Sequence, residues 1–138
     1  MDRRVIVDAN VALKWVLPED DSPRAARLLE AELHAPDFVL IECCNCLRRA
    51  SRQGLLAAED AKAVFDFLGR TGIVLSSSAR LLPAALDLAQ ALDHPAYDCL
   101  YLALALETDL PLVTADAGLI RAAGRDPSLR GKVAALRD

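Results

Sequence analysis

Aromatic side chains are scarce in this sequence: Phe, Trp and Tyr together make up 4% of 138 residues. Platforms for single-stranded nucleic acid stack bases on such rings, so the composition argues against that binding mode. The core has to be built from Leu, Ala, Val and Ile. Glycine and proline are also few, 6 and 7 residues, too few for a disordered or fibrous chain. No apolar run approaches the roughly 20 residues that span a bilayer. The longest, Cys99 to Leu106, is stopped by Glu107 and Asp109. The opening Met1-Asp2-Arg3-Arg4 carries an acid early and lacks an apolar stretch of signal-peptide length. A cytoplasmic protein with no membrane partner is expected.

Metal-binding sulfur and nitrogen are thinly supplied too. There are two histidines, His34 and His94, at no recognisable ligand spacing. Of the four cysteines, Cys43, Cys44 and Cys46 crowd one segment and Cys99 stands alone. Cys43-x-x-Cys46 is half of a zinc pattern without its other half, so a structural zinc is not expected. The cysteines read instead as small buried hydrophobes kept reduced. A basic excess is missing as well: 16 Lys and Arg face 20 Asp and Glu, for a net charge of −4. A polyanionic partner would therefore need a local basic patch, a metal ion or another chain. No G-x-S-x-G, G-x-G-x-x-G or Walker A sequence occurs.

What is present is an alternation of short β-branched runs with helical patterns. Arg4-Val-Ile-Val-Asp8, Ile73-Val-Leu75 and Pro111-Leu-Val-Thr114 read as strands, and Lys132–Leu136 as a last edge strand. An apolar stretch from Val11 is stopped by Pro18. Ser22-Pro23 opens a helix whose Ala25, Leu28, Leu29 and Leu33 fall at helical spacing. Pro36-Asp37 interrupts it. Phe38–Arg52 is helical with Leu40, Cys44, Leu47 and Ser51 on one face. Ala58–Gly69, Leu81–Leu92, a very apolar Ala96–Thr108 and a helix from Asp116 to about Ala123 follow. With no hairpin signal, this order predicts βαβ units and a parallel sheet covered on both faces. The expectation is one α/β domain over residues 1–138, a three-layer α/β/α sandwich with a small central parallel sheet.

The acids are the informative residues. In open parallel sheets, ligands bind beyond the carboxyl ends of the strands. Asp8 ends the first strand and Asp116 lies just past Leu112-Val-Thr114. Glu42 and Asp98 interrupt otherwise apolar helical segments, with no Lys or Arg within one turn. Four carboxylates meeting without cations repel one another, and a hard divalent ion, Mg²⁺ or Mn²⁺, resolves the conflict. Ions held in this way activate water and neutralise phosphate oxygens. Each acid also has a plain structural role open to it. Asp8 and Asp116 suit helix N-caps. Asp98 and Glu42 sit in first turns, where an acid complements the helix dipole. Asn10 and Thr114 are supporting polar candidates. Arg49, seven residues beyond Glu42 and so about 20° round the helix, could meet a phosphate, with Lys14 as a second source of positive charge. Trp15 reads as a core or interface residue.

Taken in order, Val5-Ile-Val-Asp8-Ala-Asn10, Pro36-Asp-Phe-Val-Leu-Ile-Glu42, Tyr97-Asp98-Cys-Leu-Tyr101-Leu-Ala and Leu112-Val-Thr114-Ala-Asp116 resemble the four acidic motifs of PIN domains, in particular VapC-type toxins. The resemblance implies a compact α/β/α sandwich and an Mg²⁺- or Mn²⁺-dependent ribonuclease. Its catalytic and metal-binding acids are Asp8, Glu42, Asp98 and Asp116, with Asn10 and Thr114 near the metal. It further implies an RNA substrate, a homodimer, and a cognate VapB-type antitoxin that reaches the acidic pocket with a basic side chain. Some relatives carry another acid or Asn soon after the last Asp, whereas Ala117, Gly118 and Leu119 follow here, which bears on a second metal site. Two other readings stay open: a housekeeping RNA-processing nuclease with the same site, and a non-catalytic protein-binding module whose acids are only caps.

Overall fold

The first strand, β1 (Arg4–Val7), carries three consecutive apolar residues that are all buried, as a strand covered on both faces must. The computed structural model describes residues 3–17 and 19–136. The chain then runs through α1 (Ala9–Leu13), α2 (Ser22–Arg27) and a 3₁₀ turn (Leu28–Glu30) into β2 (Glu32–Pro36). The helices α3 (Val39–Arg52) and α4 (Ala58–Gly69) precede β3 (Val74–Ser76). Next come α5 (Ser78–Leu92), α6 (Ala96–Thr108), β4 (Leu112–Thr114), α7 (Ala117–Ala123), a second 3₁₀ turn (Pro127–Leu129) and β5 (Val133–Ala135). All strand pairs are parallel, in the order β3-β2-β1-β4-β5.

The two faces of the sheet are covered unequally. Ile6 and Leu112, paired across β1 and β4, join the larger core with residues of α3, α5 and α6. Val5, Val7, Leu33 and Val113 point the other way and pack with Ala25 and Leu28 from α2 and the turn after it. This alternation follows from the two-residue period of a strand. The result is a three-layer α/β/α sandwich. Trp15 bridges the two cores and donates its Nε1–H to the carbonyl of Ala25 at 2.7 Å. Helix α6 is buried without interruption from Cys99 to Ala105, as its all-round apolar sequence requires. It lies on β1, β2 and β4 with α5 along its outer side. Each fully buried Leu in it contributes about 2 kcal/mol of apolar burial.

Four sequence expectations need correction. The stretch around Leu33 is not a continuation of the preceding helix. After the 3₁₀ turn the backbone extends at Ala31, and Glu32–Pro36 becomes an interior strand between β1 and β3. Sheet pairing overrides the helical spacing of Leu28, Leu29 and Leu33, and Pro36 is tolerated because it lies beyond the last β1 pairing, Ile6 with His34, while the next N–H, that of Asp37, serves the β3 side. The buried face of α3 is formed by Val39, Cys43, Leu47 and Ala50, one residue round from the expected set. Cys44 is exposed and Cys46 partly so, while Cys43 and Cys99 are buried. The first helix begins at Ala9 and its regular part ends at Leu13; the expected stop at Pro18 lies outside the described residues.

Candidate functional site

The strand order fixes where the site falls. From β1 the chain winds outward to β2 and β3, then returns to the other side of β1 to form β4. The reversal opens a crevice beyond the carboxyl ends of β1 and β4. Asp8 and Asp116 are the residues that leave those two strands toward it.

Asp8 is 6% exposed. It caps α1, its Oδ1 accepting the Val11 N–H at 2.9 Å. Its Oδ2 accepts the hydroxyl of the fully buried Thr114. The same Thr114 oxygen accepts the Asp116 N–H at 3.0 Å, so one hydroxyl ties the two strand ends together. Asp116 caps α7, Oδ1 accepting the N–H groups of Gly118 at 2.9 Å and Leu119 at 3.2 Å. Both capping roles open to these residues from sequence are therefore filled, yet both side chains also line the crevice.

Glu42 and Asp98 reach the same crevice from the first turns of α3 and α6. The hydroxyl of Tyr101, itself 1% exposed, donates to Glu42 Oε1. His94 Nε2 lies 2.8 Å from Asp98 Oδ2. All four acids thus line one cleft of about 370 Å³, together with Asn10, Asn45, Cys46, Arg49, Tyr97 and Tyr101 among others. Arg49 stands at its mouth, its Nη2 3.0 Å from Cys46 Sγ. It also lines an adjoining cleft of about 550 Å³ that shares Asn10, Cys46 and Asp116. Lys14 does not serve as a free cation: it is paired with Asp21 at 2.9 Å and Glu19 at 3.1 Å.

Burial dominates the electrostatics. It pushes Asp8 up to about 6, and the charges of Asp116 and Asp98 add to this, against the hydrogen bonds from Thr114 and Val11. Burial likewise raises Glu42, with Asp98 and Asp8 adding and the Tyr101 hydroxyl and Arg49 opposing. Cys43, beside Glu42 but turned into the core, is pushed up to about 12 by burial; it is no nucleophile. Among the described residues, no three His, Cys, Asp or Glu side chains stand close enough, as they lie here, to share one ion. The donor set nonetheless suits a hard cation. It consists of carboxylates, and Glu42, Asp98 and Asp116 each have one oxygen tied by the chain's own donors while the other makes no hydrogen bond among the described residues.

The family model for the PIN domain matches residues 5–125. The chain belongs to the PIN-domain family. Ribonuclease VapC3 of Pyrobaculum aerophilum is 31% identical to this PIN domain over 120 residues, covering 84% of this chain and 92% of the relative. VapC ribonuclease Mb0985 of Mycobacterium bovis is 32% identical over 116 residues, 83% of this chain and 87% of the relative. Among solved structures, PAE2754 from Pyrobaculum aerophilum superposes with a TM-score of 0.72 at 17% identity, covering 99% of this chain and 92% of that one. VapBC2 from Rickettsia felis, solved bound to a DNA fragment from its promoter, gives 0.66 at 16% identity, covering 96% and 98%. At those identities the structures bear on the fold alone, and they agree with the sandwich described above.

Sequence reasoning missed the holders of the acids in this PIN domain. Tyr101 follows Asp98 by three residues on α6, a spacing that puts the two on one face of the helix, and His94 stands four residues before Asp98, in the junction that precedes the Pro95 N-cap. That signal was present in the chain. Asn45 lies three residues past Glu42 and is legible in the same way. Phe38, whose ring centroid is 6.2 Å from that of Tyr97, joins the cleft wall only through tertiary packing, which spacing does not report.

Proposed function

We propose that this PIN domain is a divalent-metal-dependent endoribonuclease, the toxin component of a type II toxin–antitoxin pair. The observation that carries the reading is the convergence of Asp8, Glu42, Asp98 and Asp116 on one cleft at the sheet's switch point. The names of the curated relatives, VapC ribonucleases, support the substrate class. The same VapC names support an antitoxin partner, VapC being one half of a VapBC pair. Asp8, Glu42, Asp98 and Asp116 are the residues that would hold Mg²⁺ or Mn²⁺. When bound there, such an ion supplies positive charge for phosphate oxygens and makes a water a better nucleophile.

The chain's own groups do the rest. Thr114 fixes Asp8 and sets the position of Asp116 relative to it. Tyr101 and His94 hold one oxygen each of Glu42 and Asp98 and leave the other to face the ligand. Asn10, exposed at the cleft, offers an uncharged amide. Arg49 at the mouth meets a neighbouring phosphate of the RNA, which explains how a chain of net charge −4 binds a polyanion. We further propose that residues 1–138 act as a single domain, that the protein is a homodimer, and that it works in the cytoplasm; no described helix is long and apolar enough to cross a membrane. The test is cleavage of end-labelled RNA by wild type and Asp8→Asn, each with Mg²⁺ and with EDTA. Wild type with Mg²⁺ should cut and the other three conditions should not. Cleavage by Asp8→Asn at the wild-type rate, or undiminished cleavage in EDTA, overturns the reading.

A further inference from the structure

His94 sits at the junction of α5 and α6, where backbone and side-chain hydrogen bonds hold the chain. Helix α5 ends on Asp93, which adopts a left-handed conformation (φ 50°). The backbone N–H groups of Asp93 and His94 both turn back to the Ala89 carbonyl, the latter at 3.1 Å, the paired closure typical of a helix end. Arg125 Nη1 donates to the Leu92 carbonyl at 2.9 Å. Pro95, the N-cap of α6, follows immediately and restricts His94 further. The imidazole is thus anchored between two helices, with its side chain 16% exposed and that of Asp98 20% exposed.

From this base the ring meets Asp98 Oδ2 at 2.8 Å. A carboxylate has no hydrogen to give, so the contact requires the proton on Nε2. One Asp98 oxygen is then fixed and the other, Oδ1, is left to the cleft. We infer that His94 is a positioning residue for the ion-binding carboxylate Asp98, setting the cleft's affinity for a divalent cation without touching it. The inference rests on the proposed metal-dependent reading of the cleft. Partners in this outer position orient the ligating group before the ion arrives, and losing them weakens affinity by about 10–100-fold. A purely structural contact between the α5–α6 junction and the first turn of α6 predicts something else: a lower melting temperature with ion affinity unchanged.

The deciding experiment is calorimetric titration of the intact protein with Mn²⁺, without RNA, beside melting curves in EDTA. His94→Ala should weaken Mn²⁺ binding at least tenfold. His94→Gln, whose side-chain amide reaches near the Nε2 position, should stay within about threefold of wild type. In an Asp98→Asn background, His94→Ala should change nothing further, because the group it positions is already lost. Mn²⁺ affinity within twofold of wild type in His94→Ala, or an equal loss in the Asp98→Asn background, overturns the inference while leaving the metal reading standing. If His94→Ala does not fold, tenfold weakening in a folded His94→Gln overturns it. Absence of Mn²⁺ binding in wild type overturns the metal reading itself, and this inference with it.

Discussion

Replacing Asp8 by Asn should stabilise the metal-free protein. Asp8 is 6% exposed, and burial lifts its pKa from 3.8 to about 6. A folded-state value above the unfolded one means that the fold binds the proton more tightly. Asp8's contribution is therefore fully favourable below pH 3.8 and is lost as pH rises through 6. The shift of about two units corresponds to about 3 kcal/mol of destabilisation above pH 7. Asn keeps an oxygen for the Val11 cap but presents N–H where Thr114 now donates, which costs about 1 kcal/mol. The net gain is about 2 kcal/mol at pH 7.5, or roughly 5–8 °C in melting temperature for a chain of this size. At pH 5 the ionisation cost falls to roughly half, and the gain falls with it. Thermal melts in EDTA at the two pH values measure this directly. Millimolar Mn²⁺ should reverse the order, since an ion at a hundred times its Kd adds about 2.7 kcal/mol to wild type alone. An Asp8→Asn protein that melts below wild type in EDTA at pH 7.5 refutes the reasoning, because burial of this carboxylate would then carry no penalty.

Asp116 separates capping from chemistry. Asp116→Asn should keep the α7 cap and melt near wild type, whereas Asp116→Ala should lose about 1 kcal/mol in urea unfolding; both should cleave RNA at least tenfold more slowly. Tyr101→Phe removes the hydroxyl that favours ionised Glu42, so Glu42 should titrate higher and the acidic limb of the pH–rate profile should move to higher pH. Arg49→Ala should raise KM for RNA and flatten its salt dependence with kcat little changed; a kcat loss with KM constant would place Arg49 in the chemical step instead.

The parts of the fold that the chain spelled out are those where local pattern and tertiary demand agree. Val5-Ile-Val7 is β-branched and buried on both faces. Ala96–Thr108 is apolar all round and lies against the sheet. At Glu32–Pro36 the two disagree. Leu28, Leu29 and Leu33 fit a helix, and Leu33 enters a strand only because β1 on one side and β3 on the other need a partner between them. Nothing within the segment reports neighbours that are distant in sequence. The one-residue error on α3 has a similar origin. Leu40 and Cys44 are as apolar as Val39 and Cys43, so the sequence defines a helix without fixing its rotation, which α1 and α4 decide by packing on it.

For the acids, a place at a helix start and a place on the cleft wall coincide, and the coincidence has an electrostatic consequence. Asp8 and Asp116 are N-caps of α1 and α7, and Glu42 and Asp98 stand in the first turns of α3 and α6. Four helix starts therefore converge on the cleft. Each presents first-turn N–H groups, which Asp8 and Asp116 accept at α1 and α7, and the longer α3 and α6 add the positive end of a helix dipole. That field favours the ionised carboxylates but does not offset the burial that raises Asp8 and Glu42. It falls off within a helical turn, so it is spent on the oxygens that cap or lie closest to the helix ends. Capping thus holds one oxygen of Asp116 in place while leaving the other for a ligand, as Tyr101 and His94 do for Glu42 and Asp98. Every acid at a helix start in this cleft is held by the chain's own donors, Asp8 through both oxygens and Glu42, Asp98 and Asp116 through one each, so that among the described residues three oxygens stay open on the cleft side.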